Sequence, residues 1–276
     1  MFEISVLMSV YKSEKPAYFS RSLQSIWDDQ ILKPDEIVLI EDGPLGKELT
    51  DIIDSWKLKL GDRLCLIVNE QNLGLTKSLN KGLAVAKGKY IARMDSDDIS
   101  LPERFKLQHE FMESHSDISV VGGGLQEFNE IDDNLGIRLY PFTNEKIREY
   151  IYKASPLAHP TVMIRHEVFD AGIRYNDRFR TSQDIALWFD ILVSGRKIAN
   201  LNKVTIKFRR DGDVFRRRSK EKAKNELKIY INGIKRLYGT LNLYYIFPIL
   251  RYFFRLMPIK IIKFVYGSSL RTKLLQ

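Results

Sequence analysis

The sequence predicts an α/β protein: a single Rossmann-like sheet, mixed but mainly parallel and flanked by helices, with a basic helical extension at the C-terminal end. Three observations predict it. Over residues 4–94, apolar runs of strand length alternate four times with stretches of helical periodicity, the pattern of βαβ units. Each apolar run ends in a short polar turn, where open parallel sheets bind their ligands. The charge is also divided, with residues 1–206 holding 26 Lys+Arg against 31 Asp+Glu and residues 207–276 holding 18 against 4.

Taken in order, Ile4–Val10 reads as a buried strand, and Phe19, Leu23, Ile26 and Trp27 fall at helical spacing after it. Ile37–Ile40 is the second apolar run, followed by Ile52, Ile53 and Trp56 on a second helix. Leu64–Val68 is the third strand and holds Cys65, the sole cysteine. No internal disulfide is possible, so Cys65 is expected as core filler in a reducing compartment. Leu75, Leu79, Leu83 and Ala86 make a third helix, and Tyr90–Met94 a fourth strand. The intervening turns are Tyr11–Ser13, Glu41–Gly43, Asn69–Asn72 and Asp95–Asp98.

Asp95 and Asp97 stand two apart at the end of the fourth strand. In an extended chain such residues project to one side, where two carboxylates repel unless a cation lies between them. A hard divalent ion, Mg²⁺ or Mn²⁺, on a phosphate-bearing substrate answers that requirement. The alternative is an acidic turn before a helix starting near Pro102. Two common nucleotide sites are excluded. No G-x-x-x-x-G-K-[ST] occurs, and Gly122–Gly124 fails G-x-G-x-x-G because Glu127 stands at its last position.

These stretches together resemble glycosyltransferase family 2, the inverting enzymes of GT-A fold that use nucleotide-activated sugars. The matching segments are Val6–Lys12, Pro34–Gly43, Asn72–Gly82, Ala86–Asp98 and Gln183–Trp188, covering roughly residues 1–210 in the family's order. Within the family, the chain is most similar to bacterial enzymes of exopolysaccharide, capsule or lipopolysaccharide assembly. The resemblance implies a catalytic domain over 1–210 and a nucleotide-sugar donor, UDP-linked by family habit. It also implies a glycan or polyprenyl-diphosphate-linked acceptor, and Mn²⁺ or Mg²⁺ as cofactor.

Site residues follow from the resemblance. Asp42 is expected to accept from the nucleobase ring, since an ionised carboxylate only accepts, with Ser9 and Tyr11 bordering the base. Asn72, Gly74 and Lys77, with Asn80 beyond, are expected along the diphosphate or donor sugar. Arg93 is expected to reach phosphate or to brace the acidic cluster. Asp95 and Asp97 are the expected metal ligands, Asp95 also at the ribose; Asp98 is a further ligand or, preferably, a helix cap. Asp184 is the expected general base, heading an amphipathic helix on which Ile185, Trp188, Phe189 and Leu192 share a face. Gln183 stands where the family usually has Glu, while Asp190 reads as a surface carboxylate. His159 is placed at the acceptor or donor-sugar pocket, and Arg209, with no histidine after it, at phosphate.

The extension, 211–276, carries Arg216–Arg218, a helical pattern from Ser219 to Tyr238, and aromatic and basic residues interleaved over Leu241–Met257 and Ile259–Val265. No stretch reaches the ~18 charge-free apolar residues of a spanning helix, so the extension reads as an element of the membrane interface facing anionic lipid. With no signal peptide evident at Met1–Ser5, the expected location is cytoplasmic, peripheral to the inner face of the membrane. Two other classes compete. A sugar nucleotidyltransferase would carry a glycine-rich basic loop after the first strand, and Ser9–Glu14 is not one. A nucleic-acid-binding protein is suggested only by the basic end; the rest of the chain is acidic, so no nucleic-acid partner is expected.

Overall fold

The apolar runs become strands within a residue or two of their expected ends. A computed structural model describes residues 2–210 and 220–257; Arg216–Arg218, Ser219 and Ile259–Val265 lie outside them. β1 (Ile4–Val10), α1 (Pro16–Ile26), β2 (Glu36–Asp42), α2 (Lys47–Leu60), β3 (Leu64–Asn69), α3 (Leu75–Leu83) and β4 (Tyr90–Asp95) keep the expected alternation. The second half runs through β5 (Ile99–Ser100), α4 (Arg104–Ser114), β6 (Ile118–Phe128), β7 (Gly136–Arg138), α5 (Asn144–Arg148), β8 (Met163–Arg165), α6 (Glu167–Asp170) and α7 (Gln183–Val193). It ends with β9 (Lys197–Arg209), α8 (Lys220–Tyr238) and α9 (Ile246–Leu256).

One mixed sheet runs in the order β3-β2-β1-β4-β8-β6-β9-β5, with β7 added to β6. The first four strands are parallel; β4 pairs antiparallel with β8, β8 with β6, and β5 with β9. Side chains alternate across the strands. Val6 and Met8 bury with Phe19 and Leu23 of α1 and Phe105 of α4. Leu7 buries on the opposite face with Leu79 and Leu83 of α3. Each such fully buried side chain contributes roughly 1.5–3 kcal/mol over exposure, so both faces hold the sheet.

Within the apolar run Thr161–Ile164, β8 begins only at Met163, because His159–Thr161, with Pro160 in it, forms a 3₁₀ turn. Arg209 ends the long strand β9, Lys197–Arg209. Gly122–Gly124 lies inside β6, where a Cβ at Gly123 would stand 2.4 Å from Thr205 Oγ1; this glycine lets β9 come close. Cys65 is half-buried against the apolar cluster.

The basic end contributes helices, as its periodicity suggests. Ile229, Tyr230 and Ile234 of α8 share one buried cluster with Trp188 and Phe189 of α7. Among the described residues, no helix is long and apolar enough to cross a membrane.

Candidate active site

The parallel register sets Ser9 opposite Asp95 and Asp42 opposite Asn69, so the ends of β1, β2, β3 and β4 meet on one rim. A cleft of about 530 Å³ opens there. Ser9, Tyr11, Asp42, Asn72, Gly74, Asp95, Asp97 and Arg209 line it, which brings together eight of the residues singled out in the sequence.

Asp42 is buried and holds the next loop. Its Oδ1 accepts from Leu73 N at 2.8 Å and Asn69 Nδ2 at 3.0 Å, and its Oδ2 from Gly74 N at 3.0 Å. Asn72 Nδ2 closes the loop on the Asp42 carbonyl at 3.1 Å. A carboxylate has about four lone-pair positions, so one remains for a ligand N–H. Gly43 and Gly74 both have positive φ, +88° and +86°, in the region that favours glycine. Tyr11 is exposed and available to a planar base.

Asp95, Asp97 and Asp98 offer carboxylate oxygens within 4.8 Å of one another. Burial, then the charges of Asp95 and Glu14, push the Asp97 carboxyl up to about 7. Asp98 is fully buried and raised for the same reason, burial first and its two acidic neighbours next. It does not cap α4, whose first turn is preceded by Glu103. Instead, Asp98 Oδ1 accepts from Arg209 N at 2.8 Å, and Oδ2 is buried without a protein partner. Three crowded carboxylates, one with an orphan oxygen, form an all-oxygen donor set that fits a hard divalent cation.

Arg93 is buried behind this cluster and donates to Asp95. Its Nε and Nη1 have no protein partner. It does not line the cleft, so of its two expected roles the described contacts are those of a brace. Its charge also reaches α7. Burial raises the Asp184 carboxyl, while the N–H of Ile185 and the Arg93 guanidinium oppose that rise. Asp184 sits in the first turn of α7, half-buried, outside the residues that line the cleft.

His159 is buried between β8 and α7, with Nε2 2.7 Å from Tyr175 Oη and its ring edge-on to Trp188. Burial and the nearby Arg93 charge hold it well below the usual histidine range, hence neutral. Lys77 is exposed on α3 away from the cleft lining. Asn80 faces the loop before α7, donating to the Tyr175 carbonyl at 2.8 Å and accepting from its N–H at 3.1 Å. Thr76 ties the same loop at the Phe179 carbonyl, 2.9 Å away. The helix that follows the Asn72–Gly74 loop thus holds the segment leading to Asp184. Asp190 pairs with Arg236 of α8.

Other cleft residues were not singled out from the sequence. Glu14 accepts from Ser96 Oγ at 2.5 Å beside Asp97. Lys15 and Tyr18 of the cleft wall both meet Glu130, from the turn after β6. Arg209 stacks on Tyr18 at 3.7 Å and on Phe128 at 4.5 Å, and its Nε donates to the Asp97 carbonyl at 2.9 Å. The only signal in the sequence is the polar turn Tyr11–Ser13; the reach of Glu130 is a tertiary contact.

Comparison with known proteins identifies the family. The sequence profile described as glycosyl transferase family 2 matches residues 5–172. The chain is 36% identical over 272 residues to the amylovoran biosynthesis glycosyltransferase AmsE of Erwinia amylovora, covering 96% of this chain and 98% of that protein. It is 30% identical to the Escherichia coli UDP-Gal:alpha-D-GlcNAc-diphosphoundecaprenol beta-1,3-galactosyltransferase over 271 residues, covering 98% and 97%. In fold it is similar to residues 1–349 of S. aureus TarS, solved with UDP-GlcNAc. The TM-score is 0.65 at 22% identity, over 87% of this chain and 68% of that one.

Proposed function

The chain belongs to glycosyl transferase family 2 and is a glycosyltransferase of GT-A fold acting in polysaccharide biosynthesis; from that premise we propose an inverting, metal-dependent transfer from a UDP-sugar to a hydroxyl of a lipid-linked glycan. The observation that carries the proposal is the meeting of Asp42, Asp95, Asp97 and Arg209 in one cleft at the strand ends. The E. coli relative, named for a UDP-Gal donor and a diphosphoundecaprenol-linked acceptor, supports the choice of substrates.

In this reading Asp42 accepts from the uracil ring with Ser9 and Tyr11 beside it, and Asn72 and Gly74 follow the diphosphate. Asp95 and Asp97, joined by Asp98, hold Mn²⁺ or Mg²⁺. When bound, the cation supplies charge stabilisation to the departing diphosphate. Arg209 adds a fixed cation on the same side. Asp184 takes the proton of the incoming hydroxyl as that oxygen bonds to the anomeric carbon, and the bond from that carbon to UDP breaks. Arg93, between the two carboxylate sets, holds Asp95 in place and favours ionised Asp184. The reaction is placed at the cytoplasmic, anionic inner face of the membrane, where a lipid-linked acceptor resides.

The test is hydrolysis of a panel of nucleotide sugars with and without Mn²⁺. We expect release of UDP from a UDP-sugar, lost on chelation and lost in Asp97→Asn. Pyrophosphate exchange with a sugar phosphate in place of hydrolysis would instead mark a nucleotidyltransferase.

A further inference from the structure

Helix α9 is turned inside out. Ile246, Ile249, Leu250, Phe253 and Leu256 recur at the spacing of one helical stripe, and every one is exposed, Leu250 by 60% and Phe253 by 58%. The charges of α9 point the other way. Arg251 and Arg255 reach Glu226 of α8 at 3.3 and 2.7 Å, and Glu226 is buried. A buried carboxylate is costly unless paired, so two guanidinium partners fix the rotation of α9. Its start is fixed as well. Tyr244 stacks on Tyr152 with centroids 3.9 Å apart, and Phe247 lies over the same ring at 5.2 Å. Turning the stripe inward would break both sets of contacts. Scattered exposed apolar residues are ordinary, but a contiguous stripe held outward marks an interaction surface.

We propose that the outward stripe of α9 is a membrane anchor, lying in the plane of an anionic bilayer surface with Leu250 and Phe253 at its centre. Charge selects this occupant. Residues 258–276 follow α9 directly and hold Lys260, Lys263, Arg271 and Lys273 with no Asp or Glu, a composition attracted to anionic lipid. At 11 residues, α9 is far short of the ~20 needed to span, and an apolar stripe of this length suits an interfacial helix. The proposal deepens the reading of a lipid-linked acceptor and rests on it for its use.

The experiment is co-sedimentation of the full chain with vesicles of equal parts phosphatidylglycerol and phosphatidylcholine, beside phosphatidylcholine alone. The parent is expected to bind the anionic vesicles. The triple variant Ile249→Ser, Leu250→Ser, Phe253→Ser changes only exposed positions and should bind on the order of tenfold less or weaker, with donor hydrolysis unchanged. Equal vesicle binding by parent and variant overturns the proposal. So does a parent that ignores vesicles, or one that is a dimer turned monomer by the triple change without vesicle binding. Vesicle binding with no hydrolysis of any nucleotide sugar would leave the anchor standing and sink the transferase chemistry instead.

Discussion

Arg209 donates its backbone N–H to Oδ1 of Asp98 at 2.8 Å, fastening the last residue of β9 to the acidic turn after β4. Asp98 is thereby both a structural acceptor and a member of the acidic cluster. The two roles separate by substitution. Asp98→Asn keeps an acceptor and should fold normally, with Mn²⁺ affinity reduced about tenfold or more by calorimetric titration. Asp98→Ala also strands the Arg209 N–H and should cost a further ~1–3 kcal/mol in denaturant unfolding. Equal stability of the two variants would remove the structural role.

The Asp97 carboxyl, pushed up to about 7 by burial and by the charges of Asp95 and Glu14, should make binding of the proposed cation pH-dependent. Below that pH a cation must displace a proton, so Mn²⁺ affinity should fall as pH drops from 8 to 6, by up to about tenfold per unit. The sign for stability follows from the same shift. The folded metal-free chain binds a proton more tightly than the unfolded one, so its stability should decrease as pH rises from about 4 through 7. A melting temperature that rises over that range in Asp97-intact protein but not in Asp97→Asn would contradict this assignment.

Asp184→Asn should leave UDP and Mn²⁺ affinity unchanged while turnover drops by roughly 10²–10⁴-fold. Since burial raises the Asp184 carboxyl, the parent rate should climb with pH on a limb above the usual carboxylate range, and the variant should lack that limb. Near-normal turnover in the variant would place the base elsewhere.

Gly43→Ala should damage the loop that Asp42 holds. Gly43 has φ +88°, and a Cβ there would stand 2.6 Å from the backbone N of Asn72. Backbone cannot step aside as a side-chain tip can, so the cost is expected at about 1–3 kcal/mol, with weaker UDP binding. Unfolding and UDP titration together check it. Unaltered stability would mean that the loop relaxes freely.

The parallel half was legible because its strands are uniformly apolar and its helices one-sided: Ile4–Val10 and Leu75–Leu83 each announce their period. The acidic turn was legible for a local reason too, two carboxylates at i and i+2. What stayed hidden is tertiary. Nothing near Asp98 in sequence tells that Arg209 covers it. His159 looks like any polar residue before an apolar run until Tyr175 and Trp188 close around it. In α9 the sequence is plainly amphipathic, but only Glu226, on the preceding helix, decides which side faces outward.

The strand order also bears on the sheet's shape. β4 and β5 are separated by β8, β6 and β9, four inter-strand spacings or about 19 Å along a flat sheet. The chain between them, Ser96–Asp98, can stretch only about 14 Å from Asp95 to Ile99. The sheet must therefore roll toward closure, with the three carboxylates drawn across the seam like a stitch. Lengthening that stitch would let the roll open, so the spacing of these acids sets curvature as well as chemistry.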